Sequence, residues 1–205
     1  PGNSTEVLAA RYPRARILGI DSSPQMIREA ARNHPQMEFR LCDAGRDLAA
    51  LDRQFDVVFS NACIQWIPDH PALLPTMMER LREGGVLAVQ IPMNHEEPVH
   101  RIIGEVASRE KWRRRLPDKR IFHQLRPEEY FRLLSRLSPS FELWQTTYFH
   151  RLPSHEAILE WYRGTGLRPY LALLTAEERV DFEGDILVEL IRAYPREENG
   201  EILFR

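Results

Sequence analysis

Residues 15–43 read ARILGIDSSPQMIREAARNHPQMEFRLCD, and this stretch decides the fold. ARILGI is a short apolar run ending at Asp21, the pattern of a buried strand. Ser23 then stands as an N-cap and Pro24 at the first helical position, where its missing N–H costs no intrahelical bond. The segment from there to His34 has the spacing of an amphipathic helix. MEFRLC, residues 37–42, alternates as a strand does and ends at Asp43. Strand, helix and strand joined by short links make one βαβ unit, which crosses over right-handed.

The same alternation continues outward. Before it, STEVLAARY (residues 4–12) places Val7, Leu8 and Tyr12 at helical spacing, with Asn3 or Ser4 as the expected N-cap. After it, FDVVFS (residues 55–60) is a continuous apolar run, the signature of a strand buried on both faces of a parallel sheet. HPALLPTMMERLRE (residues 70–83) predicts a helix closed by Gly84 and Gly85. GVLAVQI (residues 85–91) predicts another buried strand. The expected fold class is therefore α/β, with a doubly wound, mostly parallel, Rossmann-like sheet. Ligands bind such sheets outside the carboxyl ends of the strands. The residues expected there are Asp21 and Ser22; Cys42, Asp43 and Ala44; Ser60, Asn61 and Ala62; then residues 90–93.

The second half has a different rhythm. Residues 1–95 are expected to form an α/β core and 96–140 a helical insertion with a basic segment. Residues 141–150, FELWQTTYFH, are expected to form a late strand. Residues 151–205 are expected to be a helical cap over the ligand edge, ending in the start of a last strand. All belong to one domain in this reading. The cap is interrupted by RGTGLRPY (residues 163–170), where Gly164 and Gly166 allow a tight bend.

Composition narrows the function. The chain has 205 residues, 43% hydrophobic and 28% charged, with a formal net charge of -2. That balance argues against a general nucleic-acid binder or a membrane-surface binder. One segment departs from it: REKWRRRLPDKR, residues 109–120, reads either as a solvated surface or as a basic wall for an acidic small substrate. Cys42 and Cys63, without metal-ligand spacing, imply reduced thiols, a cytoplasmic protein and no metal site. No apolar run is long enough to span a bilayer and no signal peptide is visible. PGNST looks like the back half of a glycine-rich turn, and EILFR stops inside an apolar run. The chain is expected to be clipped at both ends, with its first strand missing and its last incomplete.

The acidic strand ends carry the chemistry. A carboxylate about 20 residues after a glycine turn, as Asp21 is, can accept both hydroxyls of a ribose. Asp43, closing the next strand, can accept from an adenine amine. PGNST, GIDSSPQMI, LCDAG, FDVVFSNACIQWIPDH and LREGGVLAVQIP occur in an order that resembles the class I S-adenosylmethionine-dependent methyltransferases. With NHEEPVHRIIGEVA, TTYFHRLPS and EWYRGTGLRPYL, the chain is similar over nearly its whole length to the trans-aconitate-methylating branch of that family. The family pattern begins with a strand and D-x-G-C-G just before PGNST.

This resemblance implies S-adenosyl-L-methionine as cofactor and a small polycarboxylate as substrate. It places Gly2 near the methionine moiety, Asp21 on the ribose hydroxyls, and Ser22 and Met26 beside the nucleoside. Cys42, Asp43 and Ala44 surround adenine, and Asn61 and Ala62 line the methyl-donor end. Gln65 and Trp66 stand at the door to substrate and position it. A carboxylate acceptor is already ionised at neutral pH, so no general base is expected. Donors for the carboxylates that are not methylated are expected in the second half: Arg168, Thr165, Tyr148, His150 and Arg113 of the Arg113–Arg115 cluster. The competing readings are another small-acid or acyl-thioester carboxyl methyltransferase, a nicotinamide-dependent oxidoreductase, and a non-catalytic protein on the same fold. Oligomeric state is not legible.

Overall fold

The structure, a computed structural model, describes residues 2–116 and 121–205. The chain divides into two compact units, residues 1–92 with 123–142, and residues 93–122 with 143–205. The segment expected as a single helical insertion is thus shared between them.

The first unit contains the two parallel strand pairs. Helix α1 (Asn3–Arg11) follows Gly2, which is its N-cap at φ 93° without a side-chain cap. The cap expected at Asn3 or Ser4 therefore lies one residue earlier, where glycine alone accepts the left-handed backbone without strain. Strand β1 (Leu18–Asp21), helix α2 (Pro24–Asn33) and strand β2 (Glu38–Leu41) form the anticipated βαβ unit. The two strands run parallel, in register from Leu18 opposite Glu38 to Asp21 opposite Leu41. A Cβ on Gly19 would lie 2.6 Å from Phe39 Cδ1 and 2.9 Å from Thr5 Oγ1. Glycine there lets the Phe39 ring and α1 close onto the strand.

Strand β3 (Phe55–Asn61) pairs in parallel with β4 (Leu81–Gln90). Between them helix α3 (His70–Met78) stops earlier than expected, and residues 81–83 are strand rather than helix. The reason is a bond between distant residues: the Arg80 carbonyl already accepts the Phe55 N–H at 2.8 Å. The register then slips between Phe55 and Val57, and Gly84 takes φ 75°. Val58 and Leu87 pack on the core with Leu73, Leu74 and Met77, while Val57, Phe59, Val86 and Val89 stand exposed. Burial on both faces, expected from the unbroken apolar run, is therefore not what this pair shows. Helix α5 (Pro127–Leu137) completes the unit, with Tyr130 and Leu133 in the same core.

The second unit is mainly helical. Helix α4 (Pro98–Ala107) buries Val99, Ile102, Ile103 and Val106, one stripe at helical spacing. Strand β5 (His150–Leu152) leads into helix α6 (His155–Arg163) and the short helix α7 (Arg168–Leu171). Helix α8 (Ala176–Ala193) begins with a reciprocal capping box between Thr175 and Glu178 and buries Phe182, Ile186 and Leu190. Strand β6 (Ile202–Phe204) pairs antiparallel with β5. The late strand expected over 141–150 is confined to its end. Residues 141–149 have no strand geometry, and Leu143, Trp144, Tyr148 and Phe149 are exposed. β6 is three residues long, so it can pair only with the His150–Leu152 segment.

The basic stretch docks on the acidic face of α8. Lys111 meets Asp181 and Asp185 at 3.4 and 3.3 Å, Arg109 meets Glu189, and Arg115 pairs with Glu178. The Trp112 indole donates to Asp185 at 2.8 Å. The last four residues of the stretch, 117–120, lie outside the described residues.

Candidate active site

The first unit gathers its polar strand ends at one edge, because parallel strands end on the same side. The Cys42 N–H donates to the Asp21 carbonyl at 3.0 Å, so the loops after β1 and β2 leave together. Asp21 Oδ1 accepts the Ser23 N–H at 2.8 Å, and Ser23 Oγ accepts the Met26 N–H at 3.3 Å, which starts α2. Asp43 does the same for its own loop. Its Oδ1 accepts the Gly45 N–H at 2.9 Å, and its N–H donates to Asp47 Oδ2 at 3.2 Å. Each carboxylate thus commits Oδ1 to its turn and leaves Oδ2 without a hydrogen bond among the described residues. Asp21 and Ser22 are exposed; Asp43, Ala44 and Met26 are half-buried.

Two expected residues face elsewhere. The Cys42 thiol is only 5% exposed and belongs to the apolar core. Burial first, then the charges of Asp47 and Asp43, push that thiol up. Only its backbone is at the edge. The missing Cβ of Gly2 points into protein: it would lie 2.8 Å from His34 Cδ2 and 3.2 Å from Phe39 Cζ. Packing and backbone conformation, rather than ligand approach on that side, require glycine here.

The end of β3 is the most constrained part of the edge. Asn61 sits opposite Gln90, and the Ala62 N–H donates to the Gln90 carbonyl at 2.9 Å. Ala62 takes φ 50°, a left-handed backbone that costs a non-glycine residue about 1–2 kcal/mol. Such strain collects at functional sites. Cys63 follows, its thiol pushed up by desolvation and then by the Asp21 carboxylate, although the residue as a whole keeps solvent access. That influence brings the ends of β1 and β3 into one electrostatic neighbourhood.

The turn Ile64–Trp66 is held from two sides. The Gln65 carbonyl accepts the His123 N–H at 3.0 Å. His70, 1% exposed, bridges the other: its Nε2 is 2.8 Å from the Ile64 carbonyl and its Nδ1 2.6 Å from the Tyr130 hydroxyl. A carbonyl can only accept, so Nε2 carries the proton and Nδ1 accepts from the tyrosine. Burial pushes the Tyr130 phenol up, which keeps it a donor. Gln65 is 2% exposed and its Oε1 has no hydrogen-bond partner among the described residues; neither has Oγ of the buried Ser60. Trp66 is 39% exposed.

This donor set can be weighed against the cofactors it could hold. Residues 21–23, 42–45 and 60–63 contain two carboxylates and no basic side chain. An acidic edge suits a nucleoside bearing a positive sulfonium. The residues present therefore fit S-adenosylmethionine.

The second unit carries the remaining candidates. Arg168 is exposed and forms no ion pair among the described residues. Thr165 is exposed, and its N–H donates to the Tyr162 carbonyl at 3.1 Å. Tyr148 stacks on His150 at 6.3 Å, and the His150 ring stands edge-on to Trp161 at 4.6 Å. Arg113 is paired with Glu110 at 3.6 Å. The reading of the sequence missed the His70–Tyr130 pair, whose members are 60 positions apart. It also missed the orphaned Ser60 hydroxyl; Ser60 was placed at the edge but given no role.

Comparison with known proteins follows the same line. Residues 1–85 match the methyltransferase domain family. The chain is 43% identical over 203 residues to a trans-aconitate 2-methyltransferase of Escherichia coli O7:K1, covering 99% of this chain and 78% of that protein. It is 42% identical over 205 residues to the enzyme of that name from Klebsiella pneumoniae, covering 100% and 79%. Among solved structures, the YcgJ protein from Bacillus subtilis superposes with TM-score 0.56 at 16% identity, over 97% of this chain and 82% of that one. The last likeness concerns the fold alone.

Proposed function

The chain belongs to the trans-aconitate 2-methyltransferase family, and from that premise we propose that it esterifies one carboxylate of trans-aconitate, a small polycarboxylic acid, with S-adenosylmethionine as methyl donor. The observation that supports the reading is the edge itself: two carboxylates at consecutive strand ends, each with Oδ2 free of hydrogen bonds among the described residues, and no basic side chain in residues 21–23, 42–45 and 60–63.

When bound, S-adenosylmethionine supplies a methyl group activated on a positive sulfur. Asp21 accepts the ribose hydroxyls, flanked by Ser22 and Met26. Asp43, Ala44 and the backbone of Cys42 border adenine. Gly2 contributes backbone near the methionine moiety, and Asn61 and Ala62 line the donor end. Gln65 and Trp66 orient the acceptor. That acceptor is already a carboxylate at neutral pH, so these side chains have no proton to remove. Their contribution is alignment and exclusion of water, effects on the order of 7–11 kcal/mol when orientation is complete.

The carboxylates that are not methylated need donors. Arg168 is the first choice because it forms no ion pair among the described residues, and a guanidinium matches a carboxylate with two hydrogen bonds. Thr165, Tyr148 and His150 are further candidates. Arg113 would first have to leave Glu110. Two free cysteines suit a reducing cytoplasm.

The test is methyl transfer from labelled S-adenosylmethionine to a panel of tri-, di- and monocarboxylic acids. A base-labile methyl ester on trans-aconitate is expected. Transfer to monocarboxylates alone, or none to any acid, would defeat the reading. In the same assay Arg168→Ala should raise KM for the tricarboxylate. Unchanged KM and kcat would remove Arg168 from the site.

A further inference from the structure

Two stretches, NHEEPVHRIIGEVA (residues 94–107) and EWYRGTGLRPYL (residues 160–171), meet in the second unit. The Tyr162 hydroxyl lies 3.2 Å from His100 Nε2, with the two rings edge-on at 5.2 Å. Phe122 stands edge-on to His100 at 5.2 Å and lies 6.4 Å from the ring of His95. Gly166 closes the other side. A Cβ there would be 2.7 Å from Tyr162 Cδ1, so the Gly164–Gly166 bend can settle on the tyrosine ring only with glycine at that position.

The polar atoms of this cluster are not all satisfied. His95 is half-buried, and its Nδ1 is buried without a hydrogen-bond partner among the described residues. Leaving such an atom unmet is destabilising. The buried Glu97, 8% exposed, is bound by Arg205 at 2.8 Å. The Tyr194 hydroxyl is engaged as well, accepting the Val99 N–H at 3.1 Å. Burial first, then the charges of Tyr194 and Glu97, push the Tyr162 phenol well above its ordinary range, so it remains an O–H donor.

Imidazole N–H and phenol O–H groups set against an aromatic wall offer donors to a flat anion without the desolvation cost of burying a second charge. We propose that His95, His100 and Tyr162 form a carboxylate-reading site for a planar polycarboxylic acid, with Arg168, two residues past Gly166 and without an ion pair among the described residues, as its cation. The assignment rests on the activity proposed above and names the residues that select a polycarboxylate over a simple acid.

The test compares wild type with His95→Gln and Tyr162→Phe. Trans-aconitate is titrated calorimetrically into cofactor-free protein, and KM is measured for trans-aconitate and for a monocarboxylic acid. S-adenosylhomocysteine affinity and melting temperature serve as controls. Each substitution is expected to weaken trans-aconitate by about tenfold, a loss of one charge-assisted hydrogen bond. Preference over the monocarboxylate should fall in parallel, with S-adenosylhomocysteine affinity unchanged. His95→Gln, at a half-buried position, keeps the assignment testable if Tyr162→Phe fails to fold. Unchanged tricarboxylate binding and preference in His95→Gln would overturn it, as would equal losses of acid and S-adenosylhomocysteine binding. Wild type that binds trans-aconitate without methylating it would defeat the activity alone, and the binding arm would still decide this site. Wild type that neither binds nor methylates it would defeat both.

Discussion

The carbonyl of Asp21 and the N–H of Cys42 are joined by a hydrogen bond of 3.0 Å. It continues the β1–β2 ladder one step past the last paired residues, Asp21 and Leu41. Its consequence is positional: the carboxylates of Asp21 and Asp43 leave the sheet from one edge, each braced by a backbone N–H of its own turn. A carboxylate held this way meets a hydroxyl or an amine without further ordering, and the absence of side-chain reorganisation favours binding.

Ala62 tests whether the bend after β3 is strained. Its φ of 50° is tolerable for alanine and hostile to a β-branched side chain. Ala62→Val should lower the unfolding free energy by about 1–3 kcal/mol. Ala62→Gly should leave it within about 1 kcal/mol of wild type, since relief of strain offsets the added backbone freedom. Urea denaturation of the three proteins checks the order. Valine as stable as alanine would mean that the bend is relaxed.

Tyr130 tests the support beneath Gln65. Tyr130→Phe leaves His70 Nδ1 without its donor and the Leu125 N–H, 3.4 Å from the same hydroxyl, without its acceptor. A loss of about 1–3 kcal/mol in stability is expected, together with a lower kcat at unchanged S-adenosylhomocysteine affinity. Ser135→Ala, at an exposed position on the same helix, should change neither. A Tyr130→Phe protein with wild-type stability and kcat would show that the relay does not support the turn.

The buried tyrosines of the second unit predict its alkaline limit. Burial is the main reason Tyr194 is pushed up to about 12 from an ordinary value of 10.0, with Glu97 adding and the Val99 N–H opposing. Between those values the folded state holds a proton that the unfolded state has lost. The contribution is complete below pH 10 and disappears as pH rises through about 12. Urea midpoints should therefore fall across this window, and less steeply in Tyr194→Phe. A slope identical in the variant would remove Tyr194 from the effect.

The sequence disclosed the parts of this protein whose signals are local. Ser23, Pro24 and the spacing after them specify α2, and the apolar runs ending at Asp21 and Asp43 specify a parallel pair with its acids at one edge. The end of α3 was not legible, because the bond that draws the chain into β4 joins Arg80 to Phe55, far away in sequence. The strand expected over 141–150 failed for a related reason: FELWQTTYFH has the β-branched and aromatic content of a strand, but a strand also needs a partner, and β6 reaches only His150–Leu152. The basic run at 109–116 looked available to a substrate until α8 supplied Asp181, Asp185, Glu189 and Glu178 to meet it. Tyr130 and His70 carry no local mark of their pairing, and only the packing of α5 on α3 brings them together.

The central claim is that the acids ending β1 and β2 hold the cofactor. Calorimetric titration of S-adenosylhomocysteine into wild type, Asp21→Asn and Asp43→Asn tests it most directly, because asparagine keeps an acceptor for the Ser23 and Gly45 N–H groups and removes only the charge. Each substitution should weaken binding by about tenfold or more, the worth of a hydrogen bond to a charged group. Affinity equal to wild type in both variants would contradict the account.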